Sequence, residues 1–108
     1  MAYDERLAAR VRALLAERAD VGERKMFGGL TFMIGGNMSC GVHGNELIVR
    51  LDPAREQEAL ARPHARPMDF TGRPMRGFIT VQPEGLKGKA LNRWIKEAVA
   101  RAEALPRK

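Results

Sequence analysis

Cys40 and His43 are the two residues whose types most readily suggest catalysis, as a thiol nucleophile and an imidazole base. Their spacing argues against that chemistry. They fall in an alternating segment, and on an extended strand positions i and i+3 point to opposite faces. Cys40 shares its face with Met38 and Val42, where a free thiol behaves as a small hydrophobe. Metal binding needs three or four converging ligands. The chain has one cysteine and two histidines, His43 and His64, with no paired ligand spacing between them. No catalytic constellation, cofactor motif or metal motif is expected.

The cationic residues suggest binding instead. Gly85-Leu86-Lys87-Gly88-Lys89 precedes a helical pattern, and backbone N–H groups at a helix start attract anions. Two lysines there are unfavourable for the helix dipole unless negative charge lies nearby, and Glu84 is one such charge. Residues 62–76 carry Arg62, Arg66, Arg73 and Arg76 against one acid, Asp69, with His64 among them. Pro63, Pro67 and Pro74 hold that stretch in a semi-rigid course. Arginine on a preformed loop suits bidentate contact with carboxylate or phosphate. The plainer reading pairs these arginines with Asp69, Glu56 and Glu58 or leaves them in water. Arg62, Arg66, Arg73, Arg76, Lys87 and Lys89 are thus the candidate anion- or partner-binding residues.

The elements that must position them follow from periodicity. Residues 4–19 read as a helix, with Leu7, Val11, Leu14 and Leu15 on one stripe. Asp20 to Glu23, with Gly22 inside, reads as its end. Residues 25–51 read as a three-stranded antiparallel meander. Leu30, Phe32 and Ile34 alternate with Thr31 and Met33, Gly35-Gly36-Asn37 turns, Met38, Cys40 and Val42 alternate again, and Gly44-Asn45 turns once more. Leu47, Val49 and Leu51 face inward on the third strand, with Ile48 and Arg50 opposite. Gly28-Gly29 inside the first strand suggests a bulge rather than a ligand loop. Asp52-Pro53 starts a helix running to about Ala61. Short strands fit residues 68–70 and 77–82, and a last helix spans 89–105 with Leu91, Trp94, Ile95, Ala98, Val99 and Ala102 on one face. This order predicts an α+β fold, α-β(3)-α-β(2)-α, with a mostly antiparallel five-stranded sheet packed by helices. Helices on one face leave the other needing cover. Met33 and Ile48 point there, and a homodimer across that face is one way to supply it.

Size and composition bound the rest. The chain has 108 residues, which fits one domain over 1–108, and 44% are hydrophobic, enough for a core. No apolar run approaches the roughly 20 residues of a membrane helix. The acidic N-terminus does not resemble a signal peptide, and one cysteine makes no internal disulfide, so a cytoplasmic protein is expected. The net charge of +6 draws the chain toward polyanions, but most of its basic residues are arginine, and a general arginine bias gives the same charge.

Met26-Phe27-Gly28-Gly29, Gly35-Gly36, residues 47–51, Met68-Asp69-Phe70-Thr71-Gly72-Arg73-Pro74-Met75, residues 77–82, Trp94-Ile95 and Leu105-Pro106 occur in order. Together they resemble the TfoX/Sxy family, in particular its small stand-alone members like the TfoX N-terminal domain. The resemblance covers nearly the whole chain. It implies the same α-β(3)-α-β(2)-α arrangement and a link to a regulator of natural competence that works with a cyclic-AMP-dependent transcription activator. It supplies no catalytic residues. The expectation is a non-enzymatic regulatory or adaptor domain acting through protein–protein contacts. The alternative is a nucleic-acid-binding module using residues 62–76. That reading normally adds stacking aromatics, whereas Phe27, Phe32, Phe70, Phe78 and Trp94 fit core positions.

Overall fold

Asp4 starts the first helix by accepting, through Oδ1, the N–H groups of Arg6 at 2.8 Å and Leu7 at 3.2 Å. The helix, α1, spans Glu5–Leu14 and buries Leu7, Ala8 and Val11. Leu15, just past its end, is also buried, while Leu14 falls on the rim of that arc and is exposed. The computed structural model describes residues 3–26, 28–68 and 76–107. Phe27, Asp69, Phe70, Arg73, Pro74 and Met75 lie outside them, as does most of the strand expected over 68–70.

Six strands follow in two groups: β1 (Val21–Met26), β2 (Gly29–Ile34), β3 (Asn37–His43) and β4 (Glu46–Arg50), then β5 (Ala65–Pro67) and β6 (Phe78–Val81). Helix α2 (Glu56–Leu60), entered through a short 3₁₀ turn at Pro53–Arg55, separates the groups, and α3 (Lys89–Ala104) closes the chain. Asp52 caps the 3₁₀ turn by accepting the Ala54 N–H at 3.0 Å. Every strand pair is antiparallel, in the order β1-β2-β3-β4-β6-β5. The fold is α+β, as the periodicity predicts, with one strand more than expected.

The extra strand corrects the reading of Gly28-Gly29. Met26 pairs with Gly29, so residues expected to form one strand form a tight hairpin, and Gly28 sits at φ 74° beside its turn. Val21–Met26, read as helix end and strand start, is the outer arm of that hairpin. Gly29 is required for a different reason. A Cβ there would overlap the Val42 carbonyl oxygen of the neighbouring strand. The actual register shift lies between Phe32 and Met33, opposite β3.

Two inward rows cross the sheet. Phe32, Cys40, Val49 and Ile79 form one, and Leu30, Val42, Leu47 and Val81 the other, each residue paired with the next. All eight are buried in one core with α1, α3 and Ala59 of α2. Burial of a large side chain there is worth roughly 1.5–3 kcal/mol. Helix α3 lies on β2, β3 and β4 and touches α1, while α2 rests on β5 and β6. Its buried face is Leu91, Trp94, Ile95, Ala98 and Ala102, close to the expected stripe. The second face carries Thr31, Gly41, Ile48 and Thr80 in another row. Of the two residues expected on that face, Ile48 is only 2% exposed, whereas Met33 is partly exposed. Among the described residues no helix is long and apolar enough to cross a membrane.

Charge clasps the chain ends. Asp20 holds Arg18 and Arg107, each at 3.1 Å, and Arg18 also reaches Glu103 at 3.0 Å. The Arg18 and Arg107 hydrogen bonds keep the Asp20 carboxyl below its usual range. Asn37 donates from Nδ2 to the Pro106 carbonyl at 2.8 Å.

Two outcomes test this packing. Gly29→Ala should lower stability by about 2–3 kcal/mol through overpacking against rigid backbone. Gly22→Ala, which meets nothing within 4 Å, should leave urea unfolding unchanged or slightly improved. Equal midpoints for the two would refute the close approach. Burial pushes the Cys40 thiol up to about 12. Its folded value lies above the unfolded one, so this contribution to stability is fully present below the unfolded value and is lost as pH climbs toward 12. The native thiol should therefore ignore a disulfide reagent near neutral pH and react only on unfolding; rapid native labelling would show that Cys40 is not sealed in the core.

Candidate functional site

The connection between α2 and β5 makes a sharp corner. Arg62 donates its N–H to the Ala59 carbonyl at 3.0 Å, and Ala65 donates to the Arg62 carbonyl at 3.3 Å. His64 takes the left-handed conformation at φ 68°, an uncommon position for a non-glycine residue. Its carbonyl accepts the Gln82 N–H at 2.9 Å, which fixes the corner against the end of β6. A Cβ on Gly85 would stand 2.9 Å from both the His64 Cβ and Val81 Cγ1, so only glycine lets the turn after β6 lie this close.

Helix α3 starts beside that corner. Gly88 occupies the cap position, and no side chain caps the helix. From the first turns Lys89 and Arg93 face outward, one helical turn apart. Trp94, one residue on, is buried and forms the inner wall. The Arg62 guanidinium lies over its ring, 3.5 Å from the centroid, and bonds the Glu97 carboxylate through Nη1. The Arg62 side chain is only 17% exposed, so it is a structural plank between the corner and α3. A cleft of about 470 Å³ remains between the two segments, with Arg62, His64, Glu84, Lys89 and Arg93 on its walls. Glu97, which also lies 4.0 Å from Arg93, is already engaged by Arg62. The cleft is therefore net positive.

The structure sorts the six expected residues. Arg62 and Lys89, 27 positions apart in the chain, meet in this cleft. Lys87 is exposed but outside it. Arg66 sits on edge strand β5 and pairs with Glu46 at 2.6 Å. Arg76 is exposed and lines a separate hollow with Glu56. Arg73 lies outside the described residues. The carboxylates that hold Arg62 and Arg66, Glu97 and Glu46, are not the Asp69, Glu56 and Glu58 that are near in sequence. Arg93, which belongs to no sequence motif, joins the site. Its signal was its position four residues after Lys89 on an amphipathic helix.

Cys40 and His43 do not combine. Cys40 is fully buried in the inward row, whereas His43 is half-buried on the opposite face of β3 beside Glu46. Among the described residues no group of three or more histidine, cysteine, aspartate or glutamate side chains could hold a metal ion.

Comparison with curated proteins and with solved structures gives no match. The family model of the TfoX N-terminal domain matches residues 13–102, a span that takes in all six strands, α2, the Arg62–His64 corner and nearly all of α3. On that match over most of its length, the chain belongs to the TfoX N-terminal domain family.

Proposed function

We propose that this domain is a non-enzymatic regulatory or adaptor domain that docks an acidic segment of a partner protein in the cleft at the start of α3. The observation that carries the reading is the meeting of Lys89 and Arg93 with the Arg62–Trp94 stack around a helix start that no side chain caps. Backbone N–H groups at such a start favour a carboxylate, and the two outward cations add charge-assisted hydrogen bonds. Membership of a family named for a competence regulator supports a regulatory role.

The nucleic-acid reading has weaker support. Single-strand binding uses exposed rings as stacking platforms. Here Phe32 and Trp94 are buried, and Arg62 already covers the Trp94 ring. Arg62 and Arg66, the inner half of the basic stretch, are held by carboxylates of their own chain.

The double substitution Lys89→Glu, Arg93→Glu tests the proposal. Both residues are exposed, so the variant should melt like the wild type. In cross-linking captures from native cells, a partner held by wild type should be lost, with affinity down at least about tenfold, or about 1.4 kcal/mol. Unchanged capture by the variant would rule the cleft out. Binding to DNA or RNA that weakens steeply with salt and disappears in the same variant would reassign the cleft to nucleic acid.

A further inference from the structure

The two edges of the sheet are finished differently. β5 is short, contains Pro67, which has no N–H, and ties Arg66 to Glu46 at 2.6 Å. β1 forms the other edge with six residues, and the inner four, residues 22–25, are exposed. Among the described residues β2 is the only strand bonded to it. On such an edge alternate N–H and C=O groups point outward with no partner in the sheet, here over roughly 20 Å.

The side chains along β1 decide what joins it. Glu23 is taken by α1, since Arg12 donates to both of its carboxylate oxygens, at 2.7 and 2.8 Å. Asp20, just before the strand, is taken by Arg18 and Arg107. Arg24 and Lys25 are neighbours on opposite faces, and among the described residues no carboxylate holds either. Gly22 has no side chain, and a Cβ there would meet nothing within 4 Å. Its cross-strand partner Met33 is left partly exposed, in a groove of about 390 Å³ that runs along residues 19–24.

A second copy fits this edge poorly. A two-fold antiparallel pairing that continues the sheet brings same-face residues together, so it centres on one residue. Centred on Glu23, Arg24 or Lys25, it sets that charge opposite its own copy, which destabilises the pair. Centred on Gly22, it aligns only Val21–Glu23. The free charge on the strand has one sign, so it rejects a copy and admits an acid.

We propose that β1 takes on one more strand, an extended acidic segment of a partner protein. Main-chain hydrogen bonds to the open edge hold the segment, and its side chains set the choice. An apolar residue beside Gly22 covers Met33, and acids beside Arg24 and Lys25 pair with them, so the segment reads apolar, any, acid, acid. This edge lies across the sheet from the α2–β5 corner and does not depend on the role of the cleft.

The probe is the capped peptide Thr-Val-Thr-Glu-Glu-Val-Thr-Val, compared with its counterpart carrying lysine for both glutamates. Each is titrated into the wild-type protein and followed by backbone amide shifts and hydrogen exchange. The acidic peptide should move the amides of residues 21–26, slow their exchange and bind about tenfold or more tightly than the lysine peptide. The double substitution Arg24→Glu, Lys25→Glu should reverse that preference. Gly22→Val should weaken the acidic peptide by filling the space over Met33, and Lys89→Glu, Arg93→Glu should leave it unchanged. No shifts at residues 21–26, or equal binding of the two peptides, would overturn the proposal. So would shifts confined to residues 84–94, which support the cleft instead, or a dimer whose contact amides are those of β1.

Discussion

Two rows of inward side chains, Phe32–Cys40–Val49–Ile79 and Leu30–Val42–Leu47–Val81, span four strands, and the helices have no other floor to stand on. In an antiparallel sheet the side-chain period is two, so a slip of one residue exchanges the faces. A slip in β4 would turn Arg50 and Ile48 into the core and expel Val49 and Leu47. The register is therefore held by what it buries. The irregularity at Phe32/Met33 and the close passage of Gly29 under Val42 are local adjustments that keep both rows aligned.

The floor places α3, and α3 places the cleft. Trp94 is buried with Leu91 and Ile95, so the ring presents one fixed surface to the α2–β5 corner. Arg62 fills that space with a cation stacked on the ring and tied to Glu97. Such a partly desolvated group gains from the stack and the ion pair together, and neither alone would offset its burial. The left-handed His64 and the glycine-only packing at Gly85 are the strained parts of this corner, and both are fixed by backbone contacts to the end of β6. The outward cations Lys89 and Arg93 carry no such duty, which separates scaffold charge from available charge on one helix.

Charge is settled by pairing at two places along α3. In mid-helix, carboxylate Glu97 neutralises Arg62. Around the chain termini, Asp20 gathers Arg18 and Arg107, while Glu103 takes a share of Arg18. Arg50, partly buried, reaches the Met38 carbonyl and the Phe78 ring in place of a carboxylate. In a chain of net charge +6 some cations must go unpaired, but water normally takes those.

What the sequence alone determined is what depends on neighbours in the chain. Alternation marked the inward residues of β2, β3 and β4, the helical stripe marked α3, and Gly35-Gly36 and Gly44 marked turns whose residues adopt positive φ. The Asp4 and Asp52 caps are equally local, although only the latter was read as one. Tertiary structure decided everything that depends on which surfaces meet. Gly28-Gly29 could be read as a bulge because a strand pattern does not show where the chain folds back. Ile48 was expected on a bare face and is covered. Arg62 and Arg66 pair with Glu97 and Glu46, 35 and 20 residues away. Periodicity and turn chemistry are written within a few residues, whereas charge pairing, burial of a face and close backbone passage arise between segments that only the folded sheet brings together.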